Sequence, residues 1–305
     1  MKIALVTGAS GFLGGYVVRE FLRAGWRVLA TGSAAPENAG LPAGVAYEAL
    51  QLPDKRLHET IRAIQPDVCV HCAGRASVAD SMQHPDDDFA SGVVLTAGLL
   101  EALRLEAPGC RMIFLSSAAV YGEPRRLPVA EDAPTHPLSP YGYHKRMCEL
   151  LVEQYARVHG VRGCSARIFS AYGAGLRRQI LWELCSQFAA TGRAILQGTG
   201  RESRDFIHAT DVARALRVVA ERADCQGEVI NLASGVEVSI AELAAELGLH
   251  FGAGDAVSFR GAQRVGDPQN WRADVTRLHE MGFVPAVSFP DGIASMATWA
   301  KTLLQ

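Results

Sequence analysis

The sequence predicts an α/β protein in which a doubly wound parallel sheet carries a smaller C-terminal lobe. Three observations predict it. Short β-rich runs alternate with helical patterns through the first half, a glycine-punctuated turn joins the first strand to the first helix, and the alternation loosens after Phe169. A chain of 305 residues exceeds one ordinary domain but suits a single α/β unit with an appended lobe. Hydrophobic residues make up 49% and charged residues 20%, the balance of a protein with a sizeable core.

Lys2 to Thr7 reads as the first strand. Gly14 to Arg23 reads as a helix with Val17, Val18, Phe21 and Leu22 on its apolar side and Gly25 just past its end. Trp26 to Thr31 is the second strand, and further strands are expected near Val45 and over Asp67 to Ala73, Arg111 to Ser116 and Gly163 to Phe169. Helices separate them around Leu57 to Ile64, Val93 to Arg104 and Tyr141 to His159. Glycines and charges in Gly173 to Arg178 and Gly198 to Arg204 then break the pattern. A helix over Asp211 to Arg222 and a strand over Glu228 to Leu232 read as a return to the sheet, and Ser239 to Leu247 as another capped helix. The expected division is a first domain of residues 1–169, its sheet rejoined by about 205–235, and a discontinuous lobe of 170–204 and 236–305.

The net charge of −2 offers no chain-wide basic footprint, so neither nucleic acid nor an anionic membrane is an expected partner, and the ligand should be small. No apolar run approaches the roughly 20 residues that span a bilayer. The first apolar stretch, Ile3 to Val6, breaks at once into glycines and reads as a strand rather than a signal peptide. Seven cysteines without regular spacing read as reduced thiols of a cytoplasmic protein. Cys69 and Cys72 have Cys-x-x-Cys spacing but lie in the apolar run Val68 to Ala73, so they read as buried strand thiols. No metal-ligand pattern is present, and no metal is expected.

Thr7-Gly8-Ala9-Ser10-Gly11-Phe12-Leu13-Gly14 carries the strongest functional signal. Its glycines recur every third residue between a strand and a helix, the context that makes such a turn a dinucleotide site. One glycine permits the tight turn, another lets the backbone approach a pyrophosphate, and the last lets helix and strand pack closely. The helix N-terminus offers unpaired N–H groups and partial positive charge to the phosphates. This identifies a Rossmann sheet binding a nicotinamide dinucleotide. In such sites an acidic residue about 20 positions on holds the ribose 2′-OH of NAD. Here the second strand ends Ala30-Thr31-Gly32-Ser33 with neither a carboxylate nor an arginine, which leaves NAD against NADP open.

Ser139-Pro140 reads as an N-cap and first helical residue, which puts Tyr141 and Lys145 one turn apart on one face. A phenol is a poor base at neutral pH, and an ammonium one turn away favours the phenolate, so the pair can exchange a proton with a substrate hydroxyl. A partner hydroxyl is expected at the end of the strand before it. Ser116 and Ser117 both qualify, and Ser117 is chosen. Tyr143 lies on another face and reads as structural, His144 as an exposed helix residue and His71 as a core histidine.

Together these segments resemble the extended short-chain dehydrogenases/reductases that act on nucleotide sugars, the NAD-dependent epimerase/dehydratase family, and the likeness runs nearly end to end. It rests on the glycine turn, Asp67 to Gly74, Ser117 to Tyr141, Arg167 to Gly173, Arg204 to His208 and Arg264 to Pro268. The resemblance implies that Tyr141 and Lys145 act with the cofactor, that Ser117 orients the sugar, and that Arg204 and Arg264 meet the diphosphate, for which a guanidinium fork is suited. It also implies cofactor contacts at Gly8, Ser10, Gly11, Phe12, Leu13, Gly14, Thr31, Gly32, Ser33, Gln51, Leu52, Cys72, Ala73 and Gly74. Dehydratases of the family carry an acid pair directly after the serine or threonine. Here Ala118 and Ala119 stand there, and a methyl group transfers no proton, so 4,6-dehydration is rejected.

Ser117-Ala118-Ala119-Val120-Tyr121-Gly122, from the serine on, is similar to the matching run of UDP-hexose 4-epimerases. There are departures: Ser170 replaces the asparagine that commonly meets the diphosphate, Gly92 and Gly98 replace helix asparagines, and Gln51 replaces an aspartate that often reaches the adenine. The leading expectation is a nucleotide-sugar 4-epimerase holding NAD, with a nucleotide-diphosphate sugar as substrate. An NADPH-dependent 4-keto-sugar reductase and a non-catalytic dinucleotide sensor are the alternatives. Family members often dimerise through the tyrosine helix and the one before it, and Val93, Val94, Leu99, Leu100, Leu150 and Leu151 would allow a homodimer.

Overall fold

The computed structural model describes residues 1–305 except 53, 255, 262–267 and 305. The first half runs β1 (Ile3–Thr7), α1 (Phe12–Arg23), β2 (Arg27–Gly32), β3 (Ala46–Ala49), α2 (Arg56–Ile64), β4 (Val68–His71), α3 (Val78–Gln83), α4 (Pro85–Phe89), α5 (Leu95–Glu106), β5 (Arg111–Ser117) and α6 (Pro140–His159). There follow β6 (Gly163–Ile168), β7 (Ser170–Tyr172), α7 (Gln179–Thr191), β8 (Ala194–Leu196), β9 (Ser203–His208), α8 (Ala209–Arg222), β10 (Gln226–Leu232), β11 (Glu237–Ser239), α9 (Ile240–His250), β12 (Val257–Phe259), α10 (Thr276–Glu280) and α11 (Phe289–Leu304).

Seven of these strands form one sheet in the order β10-β6-β5-β4-β1-β2-β3, every pair parallel. The order reverses between β1 and β4, the doubly wound arrangement whose crevice lies beyond the carboxyl ends of the strands. Both faces are covered, so the strands read as nearly continuous apolar runs. Side-chain alternation still sorts them: Ala4, Val6, Val68, Val70, Ile113 and Leu115 face α1 and α8, whereas Leu5, Cys69, Met112 and Phe114 face α2, α5 and α6. Burying a large aliphatic side chain is worth about 1.5–3 kcal/mol, so these two layers supply most of the apolar drive.

The capping signals act as expected. Ser139 Oγ accepts from Gly142 N (3.2 Å) with Pro140 at the first helical position, and Gly160 closes α6 in the left-handed region at φ 70°. Ser239 and Glu242 form a capping box on α9.

Several expectations need correction. The helix expected from Val93 begins at Leu95, because residues Ala90–Val94 form a wider π turn. Residues 205–208, expected with the segment returning to the sheet, instead belong with 203 and 204 to β9, which pairs with β7 and β11 in a separate three-stranded sheet. The return runs through α8 and β10 alone. Helices α7 and α11 went unread, although Leu181, Leu184, Cys185 and Phe188 in one and Ile293, Met296, Ala297 and Ala300 in the other carry helical spacing; both face a second core with α9. Leu278 and Phe283, in the segment assigned to the lobe, join the first core. Leu99 and Leu100 are buried against the sheet and leave no surface for a dimer contact.

Candidate active site

A cleft of about 880 Å³ opens at the carboxyl ends of β1, β4, β5 and β6 and runs between the sheet and the second core. Gly8, Gly11, Phe12, Leu13, Gly14, Cys72, Gly74, Ser117, Tyr141, Lys145, Ser170 and Arg204 line it. The fold therefore brings residues spread over most of the chain to one wall.

At the glycine turn the three positions differ in their constraints. Gly8 sits at φ 66°, and a side chain there would overlap the Ala73 amide. A side chain at Gly14 would overlap the Gly8 carbonyl, so this glycine lets α1 start hard against the turn. Gly11 caps α1 without a side-chain hydrogen bond, which leaves first-turn N–H groups for an anion in the cleft. This cradle suits a pyrophosphate.

The other expected cofactor residues stand elsewhere. Ala73 lines a small adjoining pocket with Gly74, Tyr141 and Lys145. Thr31 is fully buried, its hydroxyl without a hydrogen-bond partner among the described residues. Gly32 is packed so that a side chain would meet Ser10 Oγ at 2.6 Å. Ser33 and Gln51 are exposed and Leu52 packs partly on the core under α2, so Ser10, Thr31, Gly32, Ser33, Gln51 and Leu52 do not line the cleft. Arg264 lies outside the described residues.

Lys145 Nζ donates to Leu115 O (2.7 Å) and stands 5.8 Å from the Tyr141 ring centre. That bond anchors the ammonium at the end of β5, beside the phenol. The Tyr141 backbone N–H donates to Ser81 Oγ (3.1 Å), whose hydroxyl donates to Val78 O (2.7 Å), so α3 fixes the start of α6. Ser117 Oγ accepts from Ala119 N (3.2 Å) and remains at the cleft wall. Ser116 is buried and donates to Glu149 Oε1 (2.6 Å), which commits its hydroxyl and separates the two serines.

Behind this wall lies a polar network that the sequence reading missed. The Glu149 carboxylate takes Arg167 in a two-pronged pair (2.8 and 2.8 Å), both side chains almost fully buried, and Arg167 stacks on Tyr121 at 4.6 Å. Tyr121 OH donates to Asn231 Oδ1 (2.7 Å). Glu149 falls two helical turns after Tyr141, a spacing that could have disclosed it. Asp205 is a second missed residue: it accepts from Ser234 N and Oγ (2.8 Å each), Gly235 N (3.0 Å) and Ala273 N (3.1 Å), and burial pushes its pKa up to about 6. These bonds pin the segment carrying Trp271, which lies 5.5 Å from the Arg204 guanidinium on the cleft wall. Arg204 itself donates to Ser203 O (2.8 Å) and Gln269 O (3.2 Å).

The histidines divide. His144 is not exposed, because its Nδ1 meets the buried Asp88 carboxylate at 2.6 Å and ties α4 to α6. His71 is a core residue between Thr7 Oγ1 (2.7 Å to Nδ1) and Thr96 Oγ1 (3.3 Å to Nε2). Thr96 gives its own proton to Gly92 O (2.7 Å), so Nε2 donates to Thr96 and Nδ1 accepts from Thr7, the neutral ring. Tyr143 is exposed on α6, and of the Cys-x-x-Cys pair Cys69 is buried while Cys72 reaches the cleft.

Burial, reinforced by the Lys145 ammonium, lowers the His71 pKa to about 3. The unfolded ring titrates near 6.5, so between these values the unfolded chain binds more protons and stability falls as pH drops. The contribution is intact above pH ~6.5 and is lost progressively toward pH ~3, on the order of a few kcal/mol in all. Urea midpoints for His71→Gln should vary less between pH 7 and pH 4.5 than those of the parent. Equal slopes would contradict the assignment.

The family model described as the NAD dependent epimerase/dehydratase family matches residues 4–233. The chain is 32% identical to a UDP-glucose 4-epimerase of Mycolicibacterium smegmatis over 99% of both proteins. A solved UDP-glucose 4-epimerase of Thermotoga maritima with UDP-glucose superposes with a TM-score of 0.90 at 26% identity, over 99% of this chain and 100% of that one. A UDP-glucuronic acid 4-epimerase of Bacillus cereus in complex with UDP-glucuronic acid and NAD gives 0.89 at 25%, over 99% of each.

Proposed function

The chain belongs to the NAD dependent epimerase/dehydratase family, and from that premise we propose that it is a nucleotide-sugar 4-epimerase working with bound NAD. The observation that carries the reading is the wall of the cleft, where Tyr141, Lys145 and Ser117 stand together beside Ala119 and the glycine turn. Alanines at 118 and 119 provide no acid for dehydration. The relatives named as UDP-sugar 4-epimerases support the same assignment.

When bound, NAD would supply a reversible hydride acceptor. Gly8, Gly11, Gly14 and the start of α1 would hold its pyrophosphate. The Tyr141 phenolate takes the proton of the C4 hydroxyl and later returns it, and Lys145 stabilises that negative oxygen. Ser117 orients the hydroxyl by hydrogen bonding. The lobe built around the second core, with α7, α9, α11 and the β7-β9-β11 sheet, binds the nucleotide, with Ser170 and Arg204 toward the diphosphate and Trp271 as an aromatic wall; Arg264 belongs to the same reading by sequence alone.

Assay of the purified protein with UDP-hexoses and UDP-hexuronic acids should show interconversion of C4 epimers without added oxidant. The missing carboxylate after β2 favours one rival, the NADPH-dependent 4-keto-sugar reductase. Consumption of added NADPH by a keto sugar, with no epimer formed from any UDP-sugar, would establish that rival instead.

The reading includes a homodimer and a cytoplasmic setting, which seven free thiols support. Tyr143, Met147 and Leu150 place an exposed apolar stripe on α6 at helical spacing, and Val94 is exposed on the turn before α5. Leu150→Glu should shift the species seen by light scattering from dimer to monomer. A parent protein that is already monomeric rules out the pairing.

A further inference from the structure

At the end of the sheet opposite the cleft, Cys164 on β6 and Cys225 just before β10 bring their Sγ atoms to 4.0 Å. We propose that these two cysteines are a modification site, a dithiol that a peroxide oxidises to a disulfide stapling edge strand β10 to β6. Neither residue touches the cleft, and the proposal does not depend on the epimerase reading.

Four features build the site. Cys225 holds a left-handed backbone at φ 58°, a conformation that L residues rarely adopt. The Glu228 carboxylate fixes that turn by accepting from Cys225 N (2.8 Å) and Gln226 N (2.6 Å), and the turn directs the thiol inward against Cys164. Arg111 reaches the same place from β5: its terminal nitrogens donate to Glu221 O and Ala223 O, while its Nε is buried without a hydrogen-bond partner among the described residues. Contact with the Cys164 sulfur and the Arg111 guanidinium, which is held to Ala223 O two residues before Cys225, both lower the Cys225 pKa, whereas the same contact and burial raise that of Cys164. The position of the Arg111 guanidinium, bonded to the carbonyls just before Cys225, assigns Cys225 as the nucleophile and Cys164 as the resolving thiol. Finally, both sulfurs are buried (Cys164 0%, Cys225 2% exposed) but lie under the edge strand β10, whose register against β6 shifts between Gln226 and Val229, so an opening of this edge is the route by which peroxide reaches them and the sulfurs close from contact to the ~2 Å of a bond.

Glu228 lies close enough to complete a three-ligand metal group with the two sulfurs. The guanidinium beside Cys225 opposes a dication and favours a lone thiolate, and so favours the redox reading.

The chemistry balances with hydrogen peroxide as the oxidant. The Cys225 thiolate attacks one peroxide oxygen, an S–O bond forms as O–O breaks, and the departing hydroxide takes a proton. The Cys164 sulfur then attacks Cys225 Sγ, the S–O bond breaks, and the leaving oxygen departs as water with the Cys164 proton. Two thiols lose two electrons and the peroxide becomes two waters. A dithiol reductant reverses the product by exchange.

The test treats the intact protein with stoichiometric peroxide, then alkylates, digests and maps it by mass spectrometry. The expected result is a peptide cross-linked between 164 and 225 that dithiothreitol releases, with a raised melting temperature for the oxidised form. Cys164→Ser should leave Cys225 as a sulfenic acid captured by a diketone probe, and Cys225→Ser should leave Cys164 reduced; both should melt cooperatively, which shows that they fold. Oxidation confined to other cysteines, or no cross-link in a folded protein, overturns the proposal. Zinc binding that produces thiolate charge-transfer absorption and is lost in both variants would overturn it in favour of a metal site.

Discussion

Tyr141→Phe should lower turnover by about two to four orders of magnitude while leaving the fold and the cofactor in place. The substitution removes one oxygen. The Tyr141 backbone bond to Ser81, the cap at Ser139 and the Lys145 bond to Leu115 O involve no phenolic atom, so the helix start and the ammonium stay where they are. What disappears is the group proposed to take and return the C4 proton. Ser117 cannot replace it, because a serine hydroxyl at neutral pH is a weaker acid than a phenol and Lys145 is anchored beside Tyr141. The substrate KM should change little, since the nucleotide is held in the lobe. The check is steady-state epimerisation together with a thermal melt. A variant that keeps a tenth or more of the parent turnover would remove Tyr141 from the proton step, and one that also unfolds early would show that the phenol is structural.

How much of this was legible beforehand depends on whether a feature is local. The glycine turn and the Ser139-Pro140 cap are set by contacts within a few residues, and both lie where their spacing puts them. The parallel sheet followed because buried strands of Val, Ile and Leu alternate with amphipathic helices, which admits few topologies. The lobe was harder. Helix α7 begins at Gln179 with Arg178 at the N-cap, which supplies no side-chain cap, after a glycine-punctuated stretch that obscures its apolar spacing. Strand β9 reads like any other short strand, and its sheet is decided by β7 and β11, both only three residues long.

The site shows the same division. Tyr141, Lys145 and Ser117 could be brought together from sequence because two of them share a helix turn and the third ends a strand, and all three line the cleft. The residues expected at the adenosine end were placed from the end of β2 and from likeness, and Thr31 and Gly32 prove to be packed inward. Ser116 and Ser117 could be ranked but not explained until Glu149 was seen to hold the first. A contact between residues 116, 149 and 167 joins a strand, a helix and the next strand, and no local pattern encodes it.

That contact underlies the second large effect. Glu149→Ala should cost about 3–5 kcal/mol of stability, because it leaves the Arg167 guanidinium buried without its counter-charge. Arg167 is 2% exposed, and apart from Glu149 its hydrogen bond goes to Glu131 O (2.9 Å), a neutral carbonyl. Ser116 would also lose its acceptor at the end of β5, so Ser117 should orient the sugar less well and turnover should fall in molecules that remain folded. The double variant Glu149→Met with Arg167→Met distinguishes the causes. If the penalty is the buried Arg167 charge, removing Glu149 and Arg167 together should destabilise less than removing Glu149 alone, since Arg146, which also donates to Glu149 (3.1 Å), is partly exposed and loses that partner equally in both variants. Turnover should nevertheless remain low in the double variant, since methionine offers Ser116 no carboxylate. Denaturant midpoints and turnover for the two variants decide the matter: a Glu149→Ala penalty below about 1 kcal/mol, the range of exposed pairs, would mean that water reaches Arg167 and that the pair does not brace the catalytic wall.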